Sequence, residues 1–490
     1  MFDAVAVGHE LSARQFVRQA PAMHLRLITA QQKLAASRSS VVIIICGIET
    51  SGRNRVVNRL NSWLDPRGVQ VTGYWRDTEG ELERPPHWRY WRRLPPRGHI
   101  GILFGAWHEP AILGRSHRQL GKNAFAAELQ RIIALERMLA DDGAILIKLW
   151  FHLTRKEHAH RMRAVLRLRG RKANDHEQDY AHHFSRMLAA AEAAIHSTDS
   201  GAAPWHLIDA ADAHYRDMLV GHLVADAIEQ RLQQVEPPRK SQRRPAVVVG
   251  KPVTVLDAVD LTQRLSIRSY EREMKQLRVR LNELAWHAHE AGRSQVFLFE
   301  GWDGSGKGGA IRRVVNALDA RLTHVIPVAA PTDEERAQHY LWRFWRQLPP
   351  AGYFTIYDRS WYGRVLVERI EGYATPQEWE RAYGEINDFE AQLTGHGIGL
   401  TKFWMHISKD EQLRRFRERE EIAFKRYKIT PDDWRNRKKW RDYELAVDEM
   451  VARTSTTDSP WTLIPGNCKQ LARVLVMRRL VERMELDGSA

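Results

Sequence analysis

The chain has 490 residues, and 75 Lys plus Arg against 60 Asp plus Glu leave a formal net charge of +15. That length exceeds what one hydrophobic core organises, so two or three domains are expected, and the cationic surplus favours polyanionic partners: nucleic acid, an acidic membrane surface or polymeric phosphate. Two cysteines, Cys46 and Cys468, support neither a disulfide framework nor a zinc site, and no apolar run approaches the roughly 20 residues that span a bilayer.

In chain order, the N-terminal stretch with Asp3, Glu10 and Arg14 lacks a basic region followed by an apolar core, so a soluble protein of the reducing cytoplasm is expected. An apolar, strand-like run ends at Cys46 and leads into Gly47-Ile-Glu-Thr-Ser-Gly-Arg-Asn54. Further on, Trp88-Arg-Tyr-Trp-Arg-Arg-Leu-Pro-Pro-Arg-Gly98 returns 254 residues later as Trp342-Arg-Phe-Trp-Arg-Gln-Leu-Pro-Pro-Ala-Gly352, identical at 8 of 11 positions. The same spacing carries Gly47 onto Gly301, Gly52 onto Gly306, Lys148 onto Lys402, Trp150 onto Trp404 and His152 onto His406. Pro204-Trp205 recurs as Pro460-Trp461 at a spacing of 256, a difference that a loop absorbs. The halves therefore read as duplicated domains, residues 1–235 and 257–490. Between them lies a linker, 236–256, whose Glu236-Pro-Pro-Arg-Lys-Ser-Gln-Arg-Arg-Pro245 is Pro-rich, basic and expected to be exposed.

The second half opens with a predicted helix, Tyr270 to His287, whose stripe of Met274, Leu277, Leu281 and Leu284 faces a core. The buried strand Val296-Phe-Leu-Phe299 then enters Gly301-Trp-Asp-Gly-Ser-Gly-Lys-Gly308, and a helix-compatible stretch follows, Ala310 to Leu318. Strand, glycine-rich turn and helix start together make a phosphate cradle. Glycines such as Gly304, Gly306 and Gly308 let backbone N–H groups converge on phosphate oxygens, the helix N-terminus adds partial positive charge, and Lys307 reaches the transferring group. The usual loop of this kind places Ser or Thr after the lysine to hold Mg²⁺. Here Gly308 stands in that place, so another residue must take the metal, and Asp303 inside the loop is the nearest candidate. Predicted strands at Tyr353 to Tyr357 and Leu400 to Ile407, with helices around them, make an α/β architecture with a mostly parallel sheet and ligands at the strands' C-terminal ends. Asp358, at one such end, is placed to hold or orient the metal.

The first half has lost this chemistry. In register, Asp303 becomes Glu49, Lys307 becomes Arg53, Gly308 becomes Asn54, and Asp358-Arg-Ser-Trp-Tyr362 becomes Phe104-Gly-Ala-Trp-His108. Phosphoryl transfer is assigned to the second half, and a structural or binding role to the first. His108 and His152 read as ordinary fold residues, because nothing nearby completes a metal site. Trp342 and Trp345 read as core. Arg343 and Arg346 keep their counterparts Arg89 and Arg92, so they read equally as structural. By contrast, Lys425-Arg-Tyr-Lys428 with Arg435, Arg437, Lys438, Lys439 and Arg441 faces a far less basic counterpart near Lys172 to Gln178, which favours a lid that neutralises phosphate charge. The alternative is a solvated helix face.

These residues resemble the polyphosphate kinase 2 family over nearly the whole second half. The match runs through Gly301-Trp-Asp-Gly-Ser-Gly-Lys-Gly-Gly-Ala-Ile311, Trp342 to Pro350, Asp358-Arg-Ser-Trp-Tyr-Gly-Arg364, Val367-Glu-Arg369 and Lys428-Ile-Thr-Pro-Asp432. The tandem arrangement, degenerate copy first, resembles the family's two-domain class, the polyphosphate:AMP phosphotransferases. The resemblance implies two tandem P-loop kinase-like domains with a helical lid in the second, and transfer of the terminal phosphoryl group of inorganic polyphosphate to AMP, giving ADP, with Mg²⁺. It implies Asp303 and Asp358 for metal and acceptor positioning, Lys307 with Gly304, Gly306, Gly308 and Gly309 for phosphates, and Arg359, Arg364, Arg419, Lys425 and Lys428 for polyphosphate or nucleotide. Tyr427 and Thr430 depart mildly from the family pattern. Competing readings are a polyphosphate-dependent kinase of nucleoside diphosphates, an ATP-dependent nucleoside monophosphate kinase, and a nucleic-acid-binding P-loop protein without catalysis. No nucleic-acid module is recognisable and no membrane partner is expected. Oligomeric state stays open, a homo-oligomer included.

Overall fold

In the computed structural model the described residues are 1–5, 8–74, 77–168, 175–233, 253–422, 429 and 431–489. They form ten strands: β1 Val41–Gly47, β2 Val69–Gly73, β3 Ile100–Phe104, β4 Ile145–His152, β5 Trp205–Asp209, β6 Gln295–Gly301, β7 Thr323–Pro327, β8 Phe354–Asp358, β9 Gly399–His406 and β10 Trp461–Pro465. The first five make one sheet in the order β2-β3-β1-β4-β5, the last five another in the equivalent order β7-β8-β6-β9-β10. Every pairing is parallel. Central strands buried on both faces must be continuously apolar. Val41 to Cys46 and Val296 to Phe299 meet that demand, each of these residues being at most 1% exposed.

The duplication holds at the level of individual residue pairs. Val41 faces Ile100 and Ile145, while Gln295 faces Phe354 and Gly399. Each of these partners lies 254 positions from its counterpart. Across the next pair Lys148 faces Trp205 and Lys402 faces Trp461, so the two extra residues of the second half fall between β9 and β10.

The chain divides into two compact units. One is built on Met1–Thr78, His87–Arg239 and Thr332–Trp342, the other on Glu79–Pro86, Lys240–Pro331 and Arg343–Ala490. In the first unit the helices Ala13–Ala35 and Ala213–Gln233 pack together on one face of the sheet, and Ile267–Glu290 with Lys469–Ser489 do the same in the second. The stripe on Ile267–Glu290 behaves as its spacing requires: Met274 and Leu281 are buried in the core, and Leu277 and Leu284 pack against it. The helix after the second glycine loop starts earlier than its apolar pattern suggests, at Lys307, because Gly306 takes up the left-handed conformation that turns the chain into it.

Of the segment read as a linker, only 253–256 is described, and it is not loose chain. Thr254 and Leu256 are buried, and Val255 N–H donates to Asp448 Oδ1 at 2.7 Å. Among the described residues no helix is long and apolar enough to cross a membrane, and both cysteines are free and buried.

Candidate active site

The loop after β6 can form only with glycine at its entrance. Gly301 sits at φ +145°, and a Cβ there would lie 2.5 Å from Met405 O. Its counterpart Gly47 is in the same position, with Phe151 O 2.3 Å from the would-be Cβ. The loop is held from behind by a buried arginine that its sequence does not advertise. Arg415 donates through Nη1 to Gly304 O at 3.0 Å and Ser305 O at 2.9 Å, and through Nη2 to Gly466 O at 2.6 Å and Asn467 O at 3.1 Å. Arg161 does the same in the first unit, reaching Thr50 O, Ala210 O and Ala211 O. Arg415 and Arg161 therefore belong to the scaffold of the loop, since both units keep them.

The structure brings Asp303, Lys307, Asp358 and Arg359 to one place. Asp358 ends β8 directly beside Phe299 of β6. Lys307 Nζ is tucked under the loop, 2.7 Å from Gly301 O and 3.2 Å from Trp302 O. Arg359 Nη2 donates to Asp303 Oδ1 at 3.2 Å, and Asn436 Nδ2 to Asp303 Oδ2 at 2.9 Å. Asn436 was not singled out by sequence, since an isolated amide in a basic helix carries no pattern. Burial opposes the charged form of Asp303, but the cations of Lys307 and Arg359 outweigh it and hold the carboxyl below its usual range. A third carboxyl, Glu300, lies buried at the end of β6 and accepts a hydrogen bond from Ser360 Oγ at 2.8 Å. Burial pushes its pKa up, against Ser360 and the nearby Lys307 and Arg359.

Among the described residues no group of three or more His, Cys, Asp or Glu side chains could hold a metal ion. A hard divalent cation of the Mg²⁺ kind binds through one or two carboxylates and completes its shell with substrate phosphates and water, and Asp303 and Asp358 could hold one. Two carboxylates beside a phosphate cradle are the donor set it requires.

On the other side of the loop a cleft of about 200 Å³ is bordered by Gly304, Ser305, Gly306, Arg419, Lys469 and Arg473. Ser305 is 2% exposed and its Oγ has no hydrogen-bond partner, so the cleft wall offers a hydroxyl that is not yet satisfied. Gly309 lies in the first turn of the following helix, with Arg473 Nη2 only 3.4 Å from where its Cβ would be, while Gly308 has open space around it. Arg364 is in the short turn after β8 and pairs with Glu368 at 3.2 Å. Lys425 and Lys428, with Tyr427 and Thr430, lie outside the described residues.

The other cations of this basic run are engaged with protein groups. Arg435 and Lys439 both pair with Glu371 at 3.0 Å, Arg437 donates to Lys409 O, and Arg441 pairs with Glu444 at 2.9 Å. Arg435, Lys439 and Arg441 are thus held in internal ion pairs. An aromatic contact ties the end of this basic run to the glycine loop: Trp440 stacks on Trp302, with centroids 3.7 Å apart and rings 6° from parallel.

Behind Asp358 lies a buried polar network. Glu390 accepts from Trp361 Nε1, Tyr362 Oη, Ser459 Oγ and Lys402 Nζ, the last at 2.6 Å, and Lys402 also reaches Thr454 O. The first unit repeats it with Glu136, Trp107, His108, Lys148 and Thr198. His108 is thereby a fold residue, as is His152, which stacks on Phe2 with centroids 4.9 Å apart.

The comparisons agree with this geometry. The profile of the family described as polyphosphate kinase 2 matches residues 10–236 and again 264–489. The chain is 42% identical over 489 residues to the polyphosphate:AMP phosphotransferase of Pseudomonas syringae pv. tomato, covering 99% of this chain and 98% of that one. It is equally 42% identical over 489 residues to the protein of the same name from Pseudomonas aeruginosa, at 99% of both chains. A crystal structure from Pseudomonas aeruginosa, assigned to polyphosphate kinase 2, superposes with a TM-score of 0.89 at 41% identity, over 100% of this chain and 99% of that one.

Proposed function

The chain belongs to the polyphosphate kinase 2 family, and from that premise we propose that its second unit moves the terminal phosphoryl group of inorganic polyphosphate to AMP, giving ADP, while the first unit performs no transfer. The observation that carries this reading is the asymmetry of two glycine loops that follow strands paired in the same register. Asp358 and Arg359 become Phe104 and Gly105, and Asp303 and Lys307 become Glu49 and Arg53. Relatives that align end to end with this chain bear the name of the AMP reaction.

In-line phosphoryl transfer asks little covalent chemistry of a protein and much positioning and charge neutralisation. Backbone N–H groups of Gly304, Gly306 and Gly308 hold the donor's phosphates at the start of the helix Lys307–Val315, and Gly309, whose N–H donates to Gly306 O at 3.0 Å, keeps that turn clear of a side chain. Lys307 and Arg359 meet the charge that spreads over the equatorial oxygens. Asp303 and Asp358 would hold Mg²⁺, which when bound would supply Lewis-acid neutralisation of the phosphate oxygens. Asp303 is ready for this, since Lys307 and Arg359 keep it ionised. Arg364 and Arg419, with Lys425 and Lys428, extend positive charge along the polymer or toward the nucleotide. The reducing cytoplasm, where polyphosphate and AMP meet, suits a chain whose two cysteines are unpaired.

Incubation with AMP, polyphosphate and Mg²⁺, without ATP, tests the substrate assignment, with ADP and GDP run as rival acceptors. ADP formation from AMP in preference to phosphorylation of the diphosphates is the expected result. Transfer only when ATP is supplied would assign the chain to the nucleotide-dependent kinases instead.

A further inference from the structure

The first unit keeps the strand, the turn and the helix start of the second: Gly47 and Gly52 take positive φ as Gly301 and Gly306 do, while Thr50, Asn54 and Arg55 stand where the second loop has Gly304, Gly308 and Gly309. What lies in the turn differs as well. Arg216, in the first turn of the helix Ala213–Gln233, is 2% exposed and lies against the loop, with Nη1 donating to Ser51 O at 2.9 Å. A Cβ placed on Gly52 would meet that nitrogen at 2.2 Å. The guanidinium is neutralised within the protein by Asp217, whose Oδ1 accepts from Arg216 Nε at 3.0 Å and Nη2 at 2.7 Å. In the second unit the equivalent residues, 256 positions on, are Ala472 and Arg473, and both border the open cleft beside Gly306. A second internal ion pair completes the difference. Arg53, in the place of Lys307, is only 8% exposed and pairs with Glu109 at 2.9 Å, where the second unit has Gly363. Even the loop hydroxyl is satisfied from inside, Ser51 Oγ donating to Ile48 O at 2.5 Å, whereas Ser305 Oγ has no partner.

We infer that the first unit carries its own occupant: Arg216 plugs the anion cradle, Glu109 withdraws the remaining cation, and phosphate chains are thereby directed to the second unit alone. A bound phosphate would have to displace a buried guanidinium from Ser51 O and from Asp217, which Arg59 holds in place at its other oxygen, and separating a buried ion pair is costly. The residues at three positions, Glu109, Arg216 and Asp217 against Gly363, Ala472 and Arg473, decide which cradle is open. This inference rests on the reading that the second cradle takes phosphate.

The test is calorimetric titration of the full chain with tripolyphosphate and Mg²⁺. The native chain is expected to bind one equivalent, and Lys307→Ala none. In the Lys307→Ala background, Glu109→Gly with Arg216→Ala and Asp217→Arg should restore one equivalent. A variant that folds, by circular dichroism, and binds nothing overturns the inference. Should that variant fail to fold, the mirror exchange decides: Ala472→Arg with Arg473→Asp in the otherwise native chain should weaken tripolyphosphate binding by roughly tenfold or more, and unchanged binding overturns the plug. A second equivalent bound by the native chain and retained in Lys307→Ala also overturns it if Arg216→Ala leaves that equivalent unchanged. Absence of any binding to the native chain would instead refute the phosphate reading of the second cradle.

Discussion

Arg359 and Asp303 meet at the mouth of the second glycine loop, guanidinium to carboxylate at 3.2 Å, and Arg359 holds that contact from a left-handed backbone at φ +65°. Its counterpart is Gly105 at φ +69°, for which the same conformation is unstrained. A non-glycine residue there costs roughly 1–2 kcal/mol, strain of the kind stored where function requires it. Arg359→Gly should therefore leave stability about unchanged, relief of strain offsetting glycine's entropy cost of roughly 0.5–1 kcal/mol. Turnover should fall by on the order of 100-fold, as expected when one charge-neutralising group is removed. Thermal unfolding and ADP formation measured on the same preparation separate the two effects. A destabilised variant with normal turnover would make Arg359 structural.

Asp358 makes a sharper case. It is placed by β8 beside the glycine strand, and the first unit has Phe104 there. Asp358→Asn keeps size and hydrogen-bonding capacity but not charge, so the circular dichroism spectrum and melting should be preserved while turnover falls by at least roughly 100-fold. Near-normal turnover in the folded variant removes this residue from the chemistry.

A pH dependence follows from His406. Its Nδ1 accepts a hydrogen bond from Trp302 Nε1 at 3.0 Å, and burial lowers its pKa from 6.5 to about 4. The folded state thus binds this proton less readily than the unfolded chain. Its neutral form is favourable above pH 6.5, and stability is lost as pH falls from about 6.5 to about 4, by on the order of 3 kcal/mol across the window. His406→Gln retains an acceptor for Trp302 but cannot titrate. The temperature of half-inactivation should drop less steeply between pH 6.5 and 4.5 in this variant than in the parent chain; parallel curves would contradict the assignment.

The Lys402–Glu390 pair is buried, the two side chains being 0% and 2% exposed. Burial lowers the lysine pKa and Glu390 opposes that shift. Lys402→Met leaves the carboxylate without its counter-charge and should cost roughly 3–5 kcal/mol, while Lys402→Met with Glu390→Gln should recover much of it. Denaturant titration of both variants checks this, and equal losses would show that the pair is not coupled.

Much of this was legible in the sequence, for identifiable reasons. The repeat at 254 was legible as a duplication, and the strand pairs Val41–Ile100 and Gln295–Phe354 recur at that spacing because parallel strands buried on both faces tolerate no slip. The glycine loop, Lys307 and the aspartates were legible because phosphate chemistry restricts residue type at fixed spacing. Arg415 was not: on the sequence it is one more charge in Glu411-Gln-Leu-Arg-Arg-Phe-Arg-Glu418, and only packing shows that it is the one turned inward. Nor was Arg216, since a charged residue in a helix's first turn reads as surface, and the two-residue shift conceals that its counterpart is Ala472. The ion pairs of the basic run were not legible either, since Glu371, the partner of Arg435 and Lys439, lies more than sixty residues upstream of Arg435. Sequence displays charge, and pairing is decided in three dimensions.

The central claim is that one unit transfers phosphate and the other does not. It is tested most directly by ADP formation from AMP and polyphosphate, without ATP, in two matched full-length variants, Asp303→Asn and Glu49→Gln, which change the same loop position in the two units. The account predicts that Asp303→Asn loses nearly all turnover and that Glu49→Gln turns over like the parent chain. Loss of turnover in Glu49→Gln with retention in Asp303→Asn would contradict it.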